Sequence, residues 1–254
     1  MKKSFLTLIT VALVASVIFF FRHIQKPHSP TVCDTIIVGT SADFQPMSFI
    51  KDGTIVGFDI DVITEIGKRL GKPITIKNMP FELLIPQLQI GHIHIIAAGM
   101  SATPERANRV YFTPAYLSGD PLVVVRMANS APITSLKDLA HKEVIVNQGY
   151  TSDLYMSKIP DISIKRLGTV ADALMALKMG RGDAFVTAAN TMAPVLEQQG
   201  TGTYTIFPIP ETNENVSLAI SKDYPELASQ VTAKLTEMEE DGTLAALKEK
   251  WHVQ

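Results

Sequence analysis

Apolar and polar positions along this chain alternate between short β-branched runs and stretches with helical spacing. The first run, residues 35–40 with Ile36, Ile37 and Val38, predicts a strand, and a turn-rich segment from Ser41 to Pro46 follows it. Over residues 59–70 the apolar positions Ile63, Ile66 and Leu70, with Gly67, fall on one helical face, and Gly71 and Pro73 stop that helix. Residues 74–77 predict a short strand. Residues 81–90 predict a helix between Pro80 and Gly91, residues 93–98 a buried strand, and a further helix starts at Pro104. The second half repeats the alternation. Strands are expected at 122–127, 144–146, 162–167 and 184–187, with a helical turn at 136–139, a helix opening at Tyr150-Thr151-Ser152 and another at 170–179. Two more strands, 204–209 and 216–220, precede two closing helices, 225–240 and 243–251, hinged at Asp241-Gly242. Alternation of this kind argues an α/β layer architecture, here two units in sequence whose leftover C-terminal helices pack back on the first.

One stretch of the pattern is chemically specific. Ala98-Gly99-Met100-Ser101-Ala102-Thr103-Pro104-Glu105-Arg106 ends a strand and opens a helix. Thr103 can cap that helix through its hydroxyl, and Pro104 suits the first helical position, where a missing N–H is harmless. Arg106 then lies in the first turn, and a guanidinium fork near a serine and a positive helix end suits a carboxylate. The alternative is a surface arginine behind an ordinary strand-to-helix turn.

With 254 residues and 46% apolar content, the chain can fill two lobes of roughly a hundred residues each. A net charge of −2, with no basic block, leaves no electrostatic footprint for nucleic acid. Cys33 is the single cysteine, so no intrachain disulfide forms. Lys2 and Lys3 precede an uncharged apolar run ending at Phe21, the pattern of an export signal or membrane anchor over residues 1–21. Val14-Ala15-Ser16 offers a small-residue cleavage site, yet a run of about 18 apolar residues is also near the lower limit for spanning a bilayer. Residues 22–33, with Pro27 and Pro30, read as a linker.

Four segments together resemble the extracellular solute-binding proteins of family 3, the polar amino-acid receptors of ABC importers. They are Gly39-Thr40 with the turn through Phe44 and Pro46; Val56-Gly57-Phe58-Asp59-Ile60-Asp61; Gly99 through Arg106; and Asp241-Gly242-Thr243-Leu244 with Trp251 beyond. Arginine-binding members are the most similar. The resemblance implies a type II periplasmic binding protein fold, two α/β lobes joined by two hinge strands, with lobe 1 at 34–119 and 213–254 and lobe 2 at 120–212. It implies a periplasmic monomer that closes on a polar amino acid or related small carboxylate and delivers it to an ABC permease, without cofactor or metal. A periplasmic prephenate-type dehydratase on the same fold is the alternative, with Asp43, Glu82 and Glu211 as weak candidates for a general acid.

By resemblance, Arg106 grips the ligand carboxylate and Thr151 offers it a second-lobe N–H beyond Gly149. Ser101 and the Gly99 carbonyl accept from a ligand ammonium, and Phe44 and Phe81 sandwich the ligand side chain, unless they serve as ordinary core. Three positions depart from the family pattern. Ser41 stands where an aspartate often meets a cationic side chain. Ala188 stands where an aspartate pairs the ammonium, leaving Asn190 as a nearby amide. His94 replaces a turn aspartate, and His92-Ile93-His94 spaces two imidazoles along a strand without an evident third metal ligand.

Overall fold

The computed structural model describes residues 34–200 and 202–253. The expected leader and linker, 1–33, lie outside the described residues. Among the described residues, no helix is long and apolar enough to cross a membrane.

Lobe 1 begins with β1 (Ile36–Thr40) and a small antiparallel meander of β2 (Asp43–Phe44), β3 (Ser48–Lys51) and β4 (Thr54–Val56). Helix α1 (Phe58–Leu70) follows, then β5 (Ile74–Asn78), α2 (Leu84–Gln89), β6 (Ile95–Ile96), the single turn α3 (Pro104–Ala107) and β7 (Tyr111–Phe112). The chain leaves through β8 (Leu117–Asp120). Lobe 2 contains β9 (Leu122–Met127), β10 (Glu143–Asn147), α4 (Thr151–Met156), β11 (Ser163–Leu167), α5 (Val170–Lys178), β12 (Ala184–Ala188), α6 (Ala189–Gln199) and β13 (Tyr204–Pro208). The return strand β14 (Glu214–Val216) leads to β15 (Ala219–Ile220), α7 (Pro225–Glu240) and α8 (Thr243–Trp251).

Each lobe is built on one sheet. The first has strand order β5-β1-β6-β15-β7 and the second β11-β10-β12-β9-β13. In both, the first three strands are parallel, and the strand that arrives after the crossover pairs antiparallel with its neighbour. Strands β8 and β14 pair with each other alone, antiparallel, and link the sheets.

The core of lobe 1 explains α1. Phe58, Val62, Ile63 and Ile66 are fully buried and pack with Val38, Ile95 and, from the closing helices, Val231, Leu235 and Met238. Gly71 ends the helix in the left-handed region (φ 65°), its N–H donating back to the Lys68 carbonyl. The C-terminal helices therefore do return to the first unit. Differences from the pattern lie where local signals are weak. The segment from Phe81 begins as a 3-10 turn, Phe81–Leu83, before α2. Only Ile95–Ile96 of the run at 93–98 is regular strand, although His94 N–H and Ala97 N–H still donate to the Ile37 and Gly39 carbonyls on β1. The meander β2–β4 and helix α6 were not evident in the periodicity. The meander strands are two to four residues long, and α6 carries Pro194 and several polar residues.

Candidate functional site

The Gly99–Arg106 segment runs along the junction of β6 and the return strand. Met100 to Ala102 is knitted to β14 and its flank by backbone bonds, Ser217 N–H to Met100 O (3.0 Å) and Ala102 N–H to Asn215 O (3.2 Å). Gly99 sits at φ +61°, and its N–H donates to Asp59 Oδ2 (2.5 Å). Asp59 is fully buried at the start of α1 and also accepts from the Tyr116 hydroxyl (2.8 Å). Burial pushes its carboxyl up to about 6, against those two donors. The aspartate of the Gly57-Phe58-Asp59 motif thus holds the site turn in place from beneath.

Thr103 caps α3 as expected, accepting from Arg106 N–H (3.3 Å). The helix is a single turn, so its dipole contributes little, and the fixed charge at this point is the guanidinium itself. Arg106 is 5% exposed. Its Nη1 donates to the Ser101 carbonyl (2.8 Å) and its Nη2 reaches across to the Gly149 carbonyl of lobe 2 (2.8 Å). Its Cζ lies 5.5 Å from the centroid of Phe81. Burial lowers the Arg106 pKa, and the charges of Glu214 and Glu105 oppose that.

Ser101 donates its hydroxyl to Glu214 Oε2. Glu214, on β14, is buried, and burial raises its pKa; the Ser101 and Thr151 side chains and the Arg106 charge favour its ionised form. Directly across the strand pair, Asp120 is also buried. Desolvation, partly offset by the Asn190 N–H (2.9 Å) and reinforced by the Glu214 charge, takes Asp120 up to about 6.

A cavity of about 20 Å³ remains where the lobes meet, lined by Phe44, Phe81, Gly99, Tyr150, Thr151, Ala188 and Glu214. Phe44, Phe81, Gly99 and Thr151 are therefore brought together, with Ser101 and Arg106 joined to them through Glu214 and Phe81. Ser41 stands aside. Its hydroxyl donates to Asp43 Oδ1 (2.7 Å) and its carbonyl accepts from Ser48 (2.7 Å). Asn190 is not on this wall; it opens α6 and lines a separate cleft with Gln45, Phe49 and Trp251. The two imidazoles are engaged separately, His94 Nδ1 accepting from Ile37 N–H (3.1 Å) and His92 Nδ1 lying 2.7 Å from Gln87 Oε1.

Sequence reasoning missed Glu214 and Tyr150. An acid at the start of the expected return to lobe 1, 213–254, was the available signal for the first. For Tyr150, read only as the opening of a helix, the adjacent positive-φ Gly149 (φ +77°) was a signal of close approach but not of where the ring goes.

The fold has counterparts among known proteins. The pattern of the bacterial extracellular solute-binding proteins, family 3, matches residues 36–254. The probable ABC transporter arginine-binding protein ArtJ of Chlamydia trachomatis is 28% identical, covering 86% of each chain. The ABC transporter glutamine-binding protein GlnH of Bacillus subtilis is 29% identical over 86% of this chain and 81% of its own. An ancestral arginine-binding protein, solved with arginine bound, superposes with a TM-score of 0.82 at 34% identity, over 87% of this chain and 99% of its own. With the matched pattern spanning both lobes, the chain belongs to the bacterial extracellular solute-binding proteins of family 3.

Proposed function

We propose that this protein captures a polar amino acid outside the cytoplasm by closing its two lobes and presents it, as a monomer, to an ABC permease. The observation that carries the reading is the pairing of Arg106 and Glu214 about one residue, Ser101: the cation holds its carbonyl and the acid takes its hydroxyl. A buried positive and a buried negative group this close complement a zwitterion, in which carboxylate and ammonium are one carbon apart. Glu214 then takes the role that Ala188 leaves vacant, and an α-ammonium does not enter the cleft without a counter-charge, which would cost several kcal/mol.

In this reading lobe 1 spans 34–119 and 213–254, lobe 2 spans 120–212, and β8 with β14 forms the hinge. Opening withdraws the Gly149 carbonyl from Arg106, and a ligand carboxylate takes its place bidentately, with the Thr151 N–H from the other lobe. The cavity of about 20 Å³ between Phe44, Thr151 and Glu214 has room for a water rather than an amino acid, so a ligand seated there requires the lobes to part first. Gly99 and Ser101 offer acceptors to the ammonium beside Glu214, and Phe44 and Phe81 line the side-chain end. Closure excludes water and strengthens each charge contact. A ligand of about ten heavy atoms reaches micromolar to nanomolar affinity on such contacts. The relatives named above are transport binding components, which supports capture rather than turnover.

Isothermal titration with the twenty amino acids and their des-amino acids tests this. The expected result is micromolar or tighter binding of one or a few amino acids and none of the matched des-amino acids. Silence across the panel from folded protein overturns the reading.

A further inference from the structure

We propose that Tyr150 determines the specificity of this site, its ring occupying the aromatic slot so that short side chains are accepted in preference to long ones. The inference rests on the Arg106–Glu214 reading above. By chain and hydrogen bonding Tyr150 is part of lobe 2: its N–H donates to the Asn147 carbonyl (3.1 Å), and its carbonyl accepts the Leu154 N–H at the start of α4 (3.1 Å). Its ring, however, is buried in an apolar cluster of lobe 1 with Phe81, Leu84, Ile85 and Met100. The ring centroid is 4.4 Å from that of Phe81, tilted by 50°, and 5.9 Å from that of Phe44, at 62°. The two phenylalanines that would sandwich a ligand side chain therefore already hold one, donated by the opposite lobe.

In the closed form the neighbouring backbone fixes that placement. Gly149 carries its carbonyl to Arg106 Nη2, and a Cβ at Gly149 would come within 3.3 Å of Glu82 Cβ, so the turn is seated closely on lobe 1. The hydroxyl of Tyr150 is buried and faces the side chain of Ser41, whose own hydroxyl donates to Asp43. Packing against Phe81 and Phe44 keeps the ring in the slot. A ligand with a short side chain leaves the Phe44–Tyr150–Phe81 stack intact as the lobes close. A long or planar side chain directed between Phe44 and Phe81 has to expel the ring, forfeiting both aromatic contacts and the apolar burial. Leu122 and Ala188 line the same cavity. Discrimination thus comes from an obstruction built against large ligands as well as from contacts to small ones.

The test is titration calorimetry with alanine, serine, glutamine, histidine and arginine on the wild type, Tyr150→Ser and Tyr150→Phe, with circular dichroism melts to establish folding. The expected result is that the wild type prefers alanine or serine. The affinity ratio of glutamine or arginine to alanine should rise about tenfold or more in Tyr150→Ser and stay near the wild-type ratio in Tyr150→Phe, which keeps the ring. A wild type that prefers the long side chains, or a ratio unchanged or lowered in Tyr150→Ser, overturns this proposal alone. If all three proteins fold and none binds any amino acid, the Arg106–Glu214 reading falls and this proposal with it.

Discussion

Glu214 lies directly opposite Asp120 on the antiparallel strands that link the two sheets, and both carboxyl groups are buried. Two acids facing each other at a hinge disfavour being charged together, and each has a separate compensation. Glu214 looks into the cleft toward Ser101 and Arg106, whereas Asp120 is met by the backbone N–H of Asn190. The hinge thereby places a negative charge at the cleft wall while its own protonation remains sensitive to pH.

Stability should fall as pH rises through the acidic range, by an amount traceable to Asp120. Its folded pKa is raised, to about 6 from 3.8, so its stabilising contribution is complete below about 4 and is lost as pH rises through 6. Between pH 4 and 7 the unfolding free energy of the wild type should drop by on the order of 2 kcal/mol more than that of Asp120→Asn. Urea titrations at those two pH values measure the difference. Equal slopes for the two proteins would show that this carboxyl is not desolvated.

Arg106→Lys should keep the charge and lose the ligand. A lysine ammonium cannot reproduce the planar fork that now spans Ser101 O and Gly149 O. Losing one charge-assisted hydrogen bond weakens binding by about 2 kcal/mol, roughly thirtyfold. Calorimetry with the preferred amino acid reads this, beside a thermal melt showing that the variant folds. Retention of wild-type affinity would remove the guanidinium from the site.

How far the chain could be read before its fold was known depended on the range of each interaction. Thr103 capping Arg106, Gly71 closing α1 and the return of the C-terminal helices follow from neighbours in sequence or from the spacing of apolar residues. Arg106 and Phe44 were singled out because they stand in short motifs, and Phe81 because the family resemblance pairs it with Phe44. Glu214 was not, because the partner that makes it part of the site, Ser101, is 113 residues away. The Tyr150 ring crosses from one lobe into the other's apolar cluster, and no local periodicity records such a crossing. Asp59 stood in a motif, but its work, holding the Gly99 turn, appears only once residues 40 positions apart are brought together.

Gly99→Ala should harm both stability and binding, more than Gly119→Ala does. Both glycines have positive φ, +61° and +93°, so each alanine meets backbone strain of about 1 kcal/mol. At Gly119 nothing lies within 4 Å of the added methyl, whereas at Gly99 it would fall 2.4 Å from Phe44 Cε1 and must displace that ring. A further loss of about 1–3 kcal/mol is expected for Gly99→Ala, together with weaker ligand binding. Chemical denaturation of the two variants in parallel tests this, and equal losses would place the Phe44 ring elsewhere.

Glu214→Gln should separate folding from function in opposite directions. The folded protein holds this carboxyl above its ordinary pKa, mainly because burial penalises the charge, so a neutral amide of the same shape should raise the melting temperature near pH 7 by a few degrees. The amide no longer neutralises an ammonium, and removing one partner of a buried ion pair should weaken amino-acid binding by about 3 kcal/mol, roughly a hundredfold. A second signature follows from the same shift. Binding by the wild type should weaken on acidification at pH values above the ordinary glutamate range, while the residual binding of the variant should show no such step. Calorimetry as a function of pH, alongside thermal melts, measures both arms. A variant that binds normally would leave the zwitterion without its acid and would return the ammonium contact to the neutral acceptors Gly99 and Ser101.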